Sequence, residues 1–183
     1  LINDGKHELA KRLEVVSENT DIVCIRQGEP RGLGHAVLCA KNLVGDEPFI
    51  VALGDDIVDA EKPLCQQLID VYSQQQKSTV AIMEVPESDV EKFGIAEGSM
   101  LDESNMQIEC MVEKPSPCET DSRYAIVGRY LFTPKIFSFL EETDPGKGGE
   151  IQLTDAMEKL KQEEGFIGNI FSGERHDAGD TFG

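Results

Sequence analysis

The segment Gln27-Gly28-Glu29-Pro30-Arg31-Gly32-Leu33-Gly34-His35-Ala36 constrains this chain more than any other, taken with the apolar run Pro48 to Leu53 and the Gly54-Asp55-Asp56 behind it. Glycines open a helix after one strand, and a second apolar strand carries two carboxylates at its C-terminal end. Open α/β sheets place ligands in the loops at the carboxyl ends of their strands. Glycine lets backbone N–H groups come close to a ligand, and paired acids at such a point suit Mg2+. The pattern points to a domain that handles nucleotides.

Hydrophobic periodicity extends this pattern. Leu9, Ala10, Leu13 and Val16 share one helical face in residues 7–16, and residues 21–26 are predicted as a buried strand. Ala36, Val37, Ala40, Leu43 and Val44 have helical spacing. Pro63 suits the first turn of a helix whose Leu64, Leu68, Ile69 and Tyr72 share a face, and 78–85 is a third strand. Beyond it the chain is strand-rich, with candidates at 94–97, 107–113 and 124–132. Helices are expected at 134–142 and 154–162, a loop at 143–150 and a last short strand at 166–171. Strand–helix alternation followed by a strand-rich insert predicts an α/β fold with a mixed, mainly parallel sheet and a smaller antiparallel portion.

The 183 residues fit one domain with a sizeable core, taken as 1–183. Within it, 1–85 forms the part expected to bind nucleotide and 86–183 the part expected to bind a partner substrate. Thirty-five acids against 17 bases give a formal net charge of −18. That disfavours partnership with nucleic acid or an anionic membrane. An anionic ligand therefore needs local help from a metal, a helix N-terminus or a placed Lys or Arg. The five cysteines (Cys24, Cys39, Cys65, Cys110, Cys118) form no C-x-x-C pair, which predicts reduced thiols and a cytoplasmic location; the first three read as core fillers. No run of 18 apolar residues is present. The ends, Leu1 and Asp180-Thr181-Phe182-Gly183, read as cuts in a longer protein.

Four constellations carry candidate chemistry, each with a plainer alternative. The Gln27 amide donates and accepts at once, which suits the imide edge of uracil or thymine, with Gly32 and Gly34 letting backbone lie against a base or ribose; the same residues make an ordinary strand–turn–helix connection. Asp55 and Asp56 fit a metal site, or a solvated turn with a capping acid. Glu113-Lys114-Pro115 offers a carboxylate for sugar hydroxyls and an ammonium for phosphate. Neighbours on a strand face opposite ways, so both serve one ligand only if the chain bends there; otherwise they are a surface ion pair. Asp177, in His176-Asp177-Ala178-Gly179, suits a second metal ligand or a turn. His35 and His176 lack zinc-type spacing.

In order along the chain, Gln27…Gly32-Leu33-Gly34-His35-Ala36, Leu53-Gly54-Asp55-Asp56, Phe93-Gly94-Ile95, Val112-Glu113-Lys114-Pro115, Val127-Gly128-Arg129-Tyr130, Gly149-Glu150-Ile151-Gln152-Leu153-Thr154-Asp155 and Asp177-Ala178-Gly179 closely resemble the bacterial UTP–glucose-1-phosphate uridylyltransferase (UDP-glucose pyrophosphorylase) family. The likeness runs from about residue 20 to the end. It implies a Rossmann-like nucleotidyltransferase fold that forms UDP-glucose and pyrophosphate from UTP and glucose 1-phosphate with Mg2+. It implies that Gln27 and Gly32 read the uracil, that Asp55 and Asp177 hold Mg2+, and that Gly94 and Glu113 contact the glucose. Lys114 would reach the sugar-nucleotide phosphate, Gly128 would lie beside the sugar pocket and Glu150 would support it. Asp55 and Lys114 are the expected catalytic groups, and Asp56 is left out of the metal pair.

The family's first strand and glycine-rich triphosphate loop find no counterpart here, nor do its C-terminal helices, which are tied to oligomer formation. The full-length protein is accordingly expected to be longer and a homo-oligomer, and this piece alone to be inactive. The implied mechanism is an in-line displacement at the α-phosphorus of UTP by a phosphate oxygen that is already anionic. Alternatives are a thymidylyltransferase-type pyrophosphorylase, a non-catalytic sugar-nucleotide-binding module, and a metal-dependent glycosyltransferase. The adjacent Asp-Asp speaks against the last, which typically carries Asp-x-Asp.

Overall fold

A computed structural model of the chain describes residues 7, 8, 11, 14, 15, 20–116 and 118–179. Residues 7, 8, 11, 14 and 15 are helical; the apolar face expected from Leu9, Ala10, Leu13 and Val16 lies outside the described residues. Among the rest, helices α1 (Leu33–Leu38) and α2 (Lys41–Val44) precede strands β1 (Phe49–Ala52) and β2 (Asp56–Asp59). Helix α3 (Leu64–Gln75), β3 (Thr79–Glu84) and a 3-10 turn (Glu87–Lys92) follow. Next come β4 (Gly94–Met100), β5 (Asn105–Glu113), β6 (Tyr124–Phe132) and α4 (Ile136–Glu141). The chain continues through a second 3-10 turn (Lys147–Gly149), α5 (Leu153–Glu164), β7 (Ile167–Ile170) and β8 (Glu174–Asp177).

Six strands form one sheet in the order β1-β6-β3-β7-β5-β4, and β4 also pairs with the start of β6, so five of them close a circuit. The α/β class and the mixed sheet match expectation, but the parallel share is smaller. β3–β7 is the one parallel ladder among the described residues. The α3 crossover does return the chain so that β1 and β3 run the same way. However, β6 slots between them antiparallel to both, which converts one parallel neighbourhood into two antiparallel ladders.

Strand β6 organises the core because it is covered on both faces. Tyr130 and Phe132 pack with Val37, Phe137, Leu153, Met157, Leu160 and Phe166 beneath α1, α4 and α5. Val127 and Leu131 face Leu64 and Leu68 of α3 on the other side. Phe132 meets Phe166 edge-on and Tyr130 in a stack, with centroids 6.1 and 5.4 Å apart. On α3 the buried stripe is Leu64, Leu68 and Val71; Ile69, expected on that face, is 39% exposed.

The strand predicted at 21–26 is absent. These residues lie in no ladder, and Ile22 and Val23 are 73% and 64% exposed. An apolar run becomes a strand only when a neighbour accepts its hydrogen bonds, and among the described residues none does. Cys24 is therefore exposed rather than a core filler, while Cys39 and Cys65 are half-buried; all five thiols are free. The helical spacing around 36–44 resolves into two short helices joined at Cys39-Ala40. The ribbon β2–β8, which opposes Asp56 to Asp177, was not expected from the sequence. No helix among the described residues is long and apolar enough to cross a membrane.

Candidate active site

A cleft of about 410 Å3 opens where the carboxyl ends of β1 and β5, the start of β2, the middle of β6 and the N-terminus of α5 meet. Asp55, Gly94, Glu113, Lys114, Gly128, Glu150 and Asp177 all line it. Gln27 and Gly32 do not, although Leu33 beside Gly32 does. A larger hollow of about 520 Å3 between β4 and residues 118–122 carries Glu97, Glu119 and Asp121 with no Lys or Arg, so it offers nothing to a phosphate.

The turn 53–56 is pinned from three sides. Arg129 Nη1 donates to the carbonyls of Leu53 and Gly128 at 2.8 and 2.9 Å, and Nη2 donates to the Asp56 carbonyl. The Leu53 N–H donates to Gly128 O at 2.9 Å, and the Ala178 N–H to Asp55 O at 2.7 Å. Asp56 points inward: it is 4% exposed and accepts the Gly128 N–H at 2.7 Å and Arg175 Nε at 2.6 Å. Both acids line the cleft, but the Asp56 carboxylate is taken up by partners within the fold while Asp55 is exposed.

The two acids expected to share a metal do converge. Asp55 Oδ2 and Asp177 Oδ1 each lie 3.2 Å from the point a Cβ would occupy on Gly179. They are thus no further apart than twice that distance. The donor chemistry of this pair fits Mg2+, a hard cation that typically takes one or two carboxylates and completes its shell with water and substrate phosphate. Among the described residues no group of three or more His, Cys, Asp or Glu side chains is suited to a metal, so an all-protein cage is not what this site offers.

On the opposite wall, β5 ends at Glu113 and Lys114 takes a left-handed conformation (φ 46°). That bend is what lets neighbours on a strand serve one cavity. Glu113 Oε2 accepts from Thr154 Oγ1 at 2.9 Å and lies 3.2 Å from where a Gly94 Cβ would sit. The Lys114 ammonium is exposed, with no side-chain partner among the described residues. Gln152, Leu153 and Thr154, the open N-terminus of α5, line the same wall with no side-chain cap.

The glycines of the opening motif meet protein backbone. A Cβ on Gly34 would sit 2.7 Å from Ile151 O, which accepts the Gly34 N–H at 3.0 Å, and one on Gly32 (φ 89°) would sit 2.8 Å from Glu150 Cβ. Their smallness seats the first turn of α1 on 150–151. Gly128 likewise makes room for Leu53 and Asp56.

Arg175, Tyr130 and Thr154 were not anticipated. Arg175 binds Asp56 and, through Nη2 at 3.0 Å, Asp177 Oδ2, and its guanidinium carbon stands 5.4 Å from the Phe93 ring centroid. Burial lowers the Arg175 pKa, but the hydrogen bonds and charges of Asp56 and Asp177 outweigh this and raise it above the usual value. Burial first, then the Glu113 and Asp56 charges, raise the Tyr130 phenol and keep it neutral. Arg175 was legible in principle, since residues two apart on a strand share a face and Arg175 stands two before Asp177.

The nucleotidyl transferase family model matches residues 2–180. The chain belongs to the nucleotidyl transferase family. The chain is 46% identical over 179 residues to the UTP–glucose-1-phosphate uridylyltransferase of Bacillus subtilis, and 47% identical over 186 residues to UTP–glucose-1-phosphate uridylyltransferase 2 of Streptococcus pyogenes. Each alignment takes in 98% of the chain but 61% of the relative, so the chain spans about three-fifths of the length of these curated relatives. A solved UDP-glucose pyrophosphorylase complexed with UDP-glucose superposes with a TM-score of 0.92 at 38% identity, covering 98% of this chain and 69% of that one. A UTP-bound enzyme of the same kind from Acinetobacter baumannii gives 0.86 at 32%, covering 100% and 64%.

Proposed function

We propose that the protein carrying this chain is a uridylyltransferase that joins UTP and glucose 1-phosphate into UDP-glucose and pyrophosphate. One observation supports this most: Asp55 and Asp177, far apart in sequence, bring carboxylate oxygens to the same glycine, Gly179, and both line the cleft that also holds Glu113 and Lys114. The relatives' names and their UDP-glucose and UTP complexes add the substrate class.

In this reading Asp55 and Asp177 hold Mg2+, which when bound supplies positive charge that relieves repulsion between phosphates. Lys114 provides a second, mobile point charge for phosphate. Glu113, fixed by Thr154, accepts from sugar hydroxyls, and Gly94 keeps the space beside it open. Gln27 and Gly32 read the uracil at the edge of the cleft, and Glu150 supports the sugar side. Gly128 acts through the protein, by leaving room for the carboxylate turn. Residues 1–85 carry the nucleotide and 86–183 the sugar, with Asp177 reaching back across that division.

A phosphate oxygen of glucose 1-phosphate bonds to the α-phosphorus as the α–β bridging bond breaks, and pyrophosphate leaves with that electron pair. The attacking oxygen is already anionic, so the residues need only align two polyanions and offset their charge. The test is pyrophosphate release by the full-length protein with glucose 1-phosphate and Mg2+, comparing UTP with dTTP. Turnover with UTP that disappears in EDTA is expected. Preference for dTTP identifies a thymidylyltransferase instead, and UDP-glucose binding without turnover identifies a binding module.

A further inference from the structure

Asp56 and Arg175 both line the cleft, and the proposed chemistry uses neither. These two form one device. Asp56 is a fixed post: its side chain is 6% exposed, and its second oxygen is held by the Gly128 N–H. Arg175 bridges from that post to Asp177, whose side chain is 40% exposed. The guanidinium takes Asp177 Oδ2 at 3.0 Å, and the Gly179 N–H takes Oδ1 at 3.0 Å on the side facing Asp55. With both oxygens held, the plane of the Asp177 carboxylate is fixed before any ligand arrives.

We propose that Arg175 is a positioning residue for cation uptake: it aims Asp177 at Asp55 by tying it to buried Asp56, and touches neither substrate nor cation itself. This rests on the function proposed above. The rigid two-armed geometry is specific to guanidinium, since one ammonium cannot hold both carboxylates in a fixed plane. Ordering the carboxylate beforehand removes an entropic cost from binding. The proposal also predicts a sign. A positive charge beside Asp177 repels a cation, so if Arg175 were only a charge neighbour, removing it would tighten metal binding. If Arg175 aims the carboxylate, removing it loosens metal binding.

The experiment uses the full-length protein, UDP-glucose and Mn2+, with free Mn2+ read by electron paramagnetic resonance. Arg175→Met keeps an unbranched apolar side chain and loses the charge and both hydrogen bonds; Arg175→Lys keeps the charge and one arm. The Mn2+ dissociation constant is expected to rise about tenfold in R175M, the scale on which outer partners of metal ligands act, and by less in R175K. UDP-glucose affinity in EDTA is expected to stay within about twofold for both variants, which reports an intact cleft. Mn2+ affinity that is unchanged or improved in R175M overturns the proposal. Wild-type protein that binds UDP-glucose but takes up no Mn2+ overturns the cation site and the clamp together. Protein that binds Mn2+ but turns over no UTP overturns the proposed activity and leaves the clamp standing.

Discussion

Gly128→Ala separates a glycine that touches ligand from one that makes room for protein. The added Cβ would stand 2.8 Å from Asp56 Oδ2, 2.9 Å from Leu53 Cβ and 3.0 Å from Asp56 Cβ. Carbon atoms in contact ordinarily stand about 3.5–4.0 Å apart, so the turn must withdraw by roughly half an ångström or more. Two of the three atoms are β-carbons fixed to backbone, and the backbone itself is held by the Leu53–Gly128 hydrogen bond and by Arg129. No side-chain rotation relieves the clash, and overpacking of this kind costs about 1–3 kcal/mol. Urea titration is expected to show that loss, and a melting scan a fall of about 2–4 °C for each kcal/mol. Gly94→Ala is the internal comparison. Its Cβ meets the exposed carboxylate of Glu113 at 3.2 Å, which can shift by a few tenths of an ångström without moving backbone, and Ile126 Cδ1 at 3.6 Å, so its stability should change by less than about 0.5 kcal/mol. Equal stability of the two variants would refute the packing argument.

Two further outcomes follow from the buried charges and the raised phenol. Asp56→Ala leaves the Gly128 N–H without an acceptor and removes one of the Arg175 partners, so it should cost about 3 kcal/mol, measured by urea unfolding. The Tyr130 phenol titrates above its ordinary 10.0 in the folded state, so protonated Tyr130 contributes stability that is intact below pH 10.0 and is lost as pH rises beyond it. Tyr130→Phe cannot lose it. The stability difference between wild type and Y130F should therefore shift against the wild type above that pH, at up to about 1.4 kcal/mol per pH unit, in urea titrations at successive pH values.

Much of this arrangement was legible in the sequence because each strand carried its own signal. Residues 78–85, 107–113 and 124–132 were read as strands and are strands: β3 and β6 run largely buried, with apolar neighbours on both faces, whereas β5 alternates buried and more exposed positions. The bend that lets Glu113 and Lys114 share a cavity was legible in Pro115, although the left-handed Lys114 was not. The candidate site residues were picked out by their order along the chain, and most of them line one cleft. Residues 21–26 misled because apolarity predicts burial but not a pairing partner. The parallel share of the sheet was overestimated because local alternation does not reveal that β6, from more than seventy positions away, inserts between β1 and β3. Ribbon β2–β8 was missed because polar, charged four-residue strands lack periodicity, and with it went the opposition of Asp56 to Asp177.

In the proposed function Asp55 and Asp177 together take up the cation that draws a sugar nucleotide into the cleft. Calorimetric titration of UDP-glucose into the full-length protein, in Mg2+ and again in EDTA, tests it most directly when repeated on Asp55→Asn and Asp177→Asn. Tighter binding in Mg2+ is expected for the wild type and a loss of that gain in each variant, with the EDTA affinities unchanged. A gain from Mg2+ that survives either substitution contradicts it.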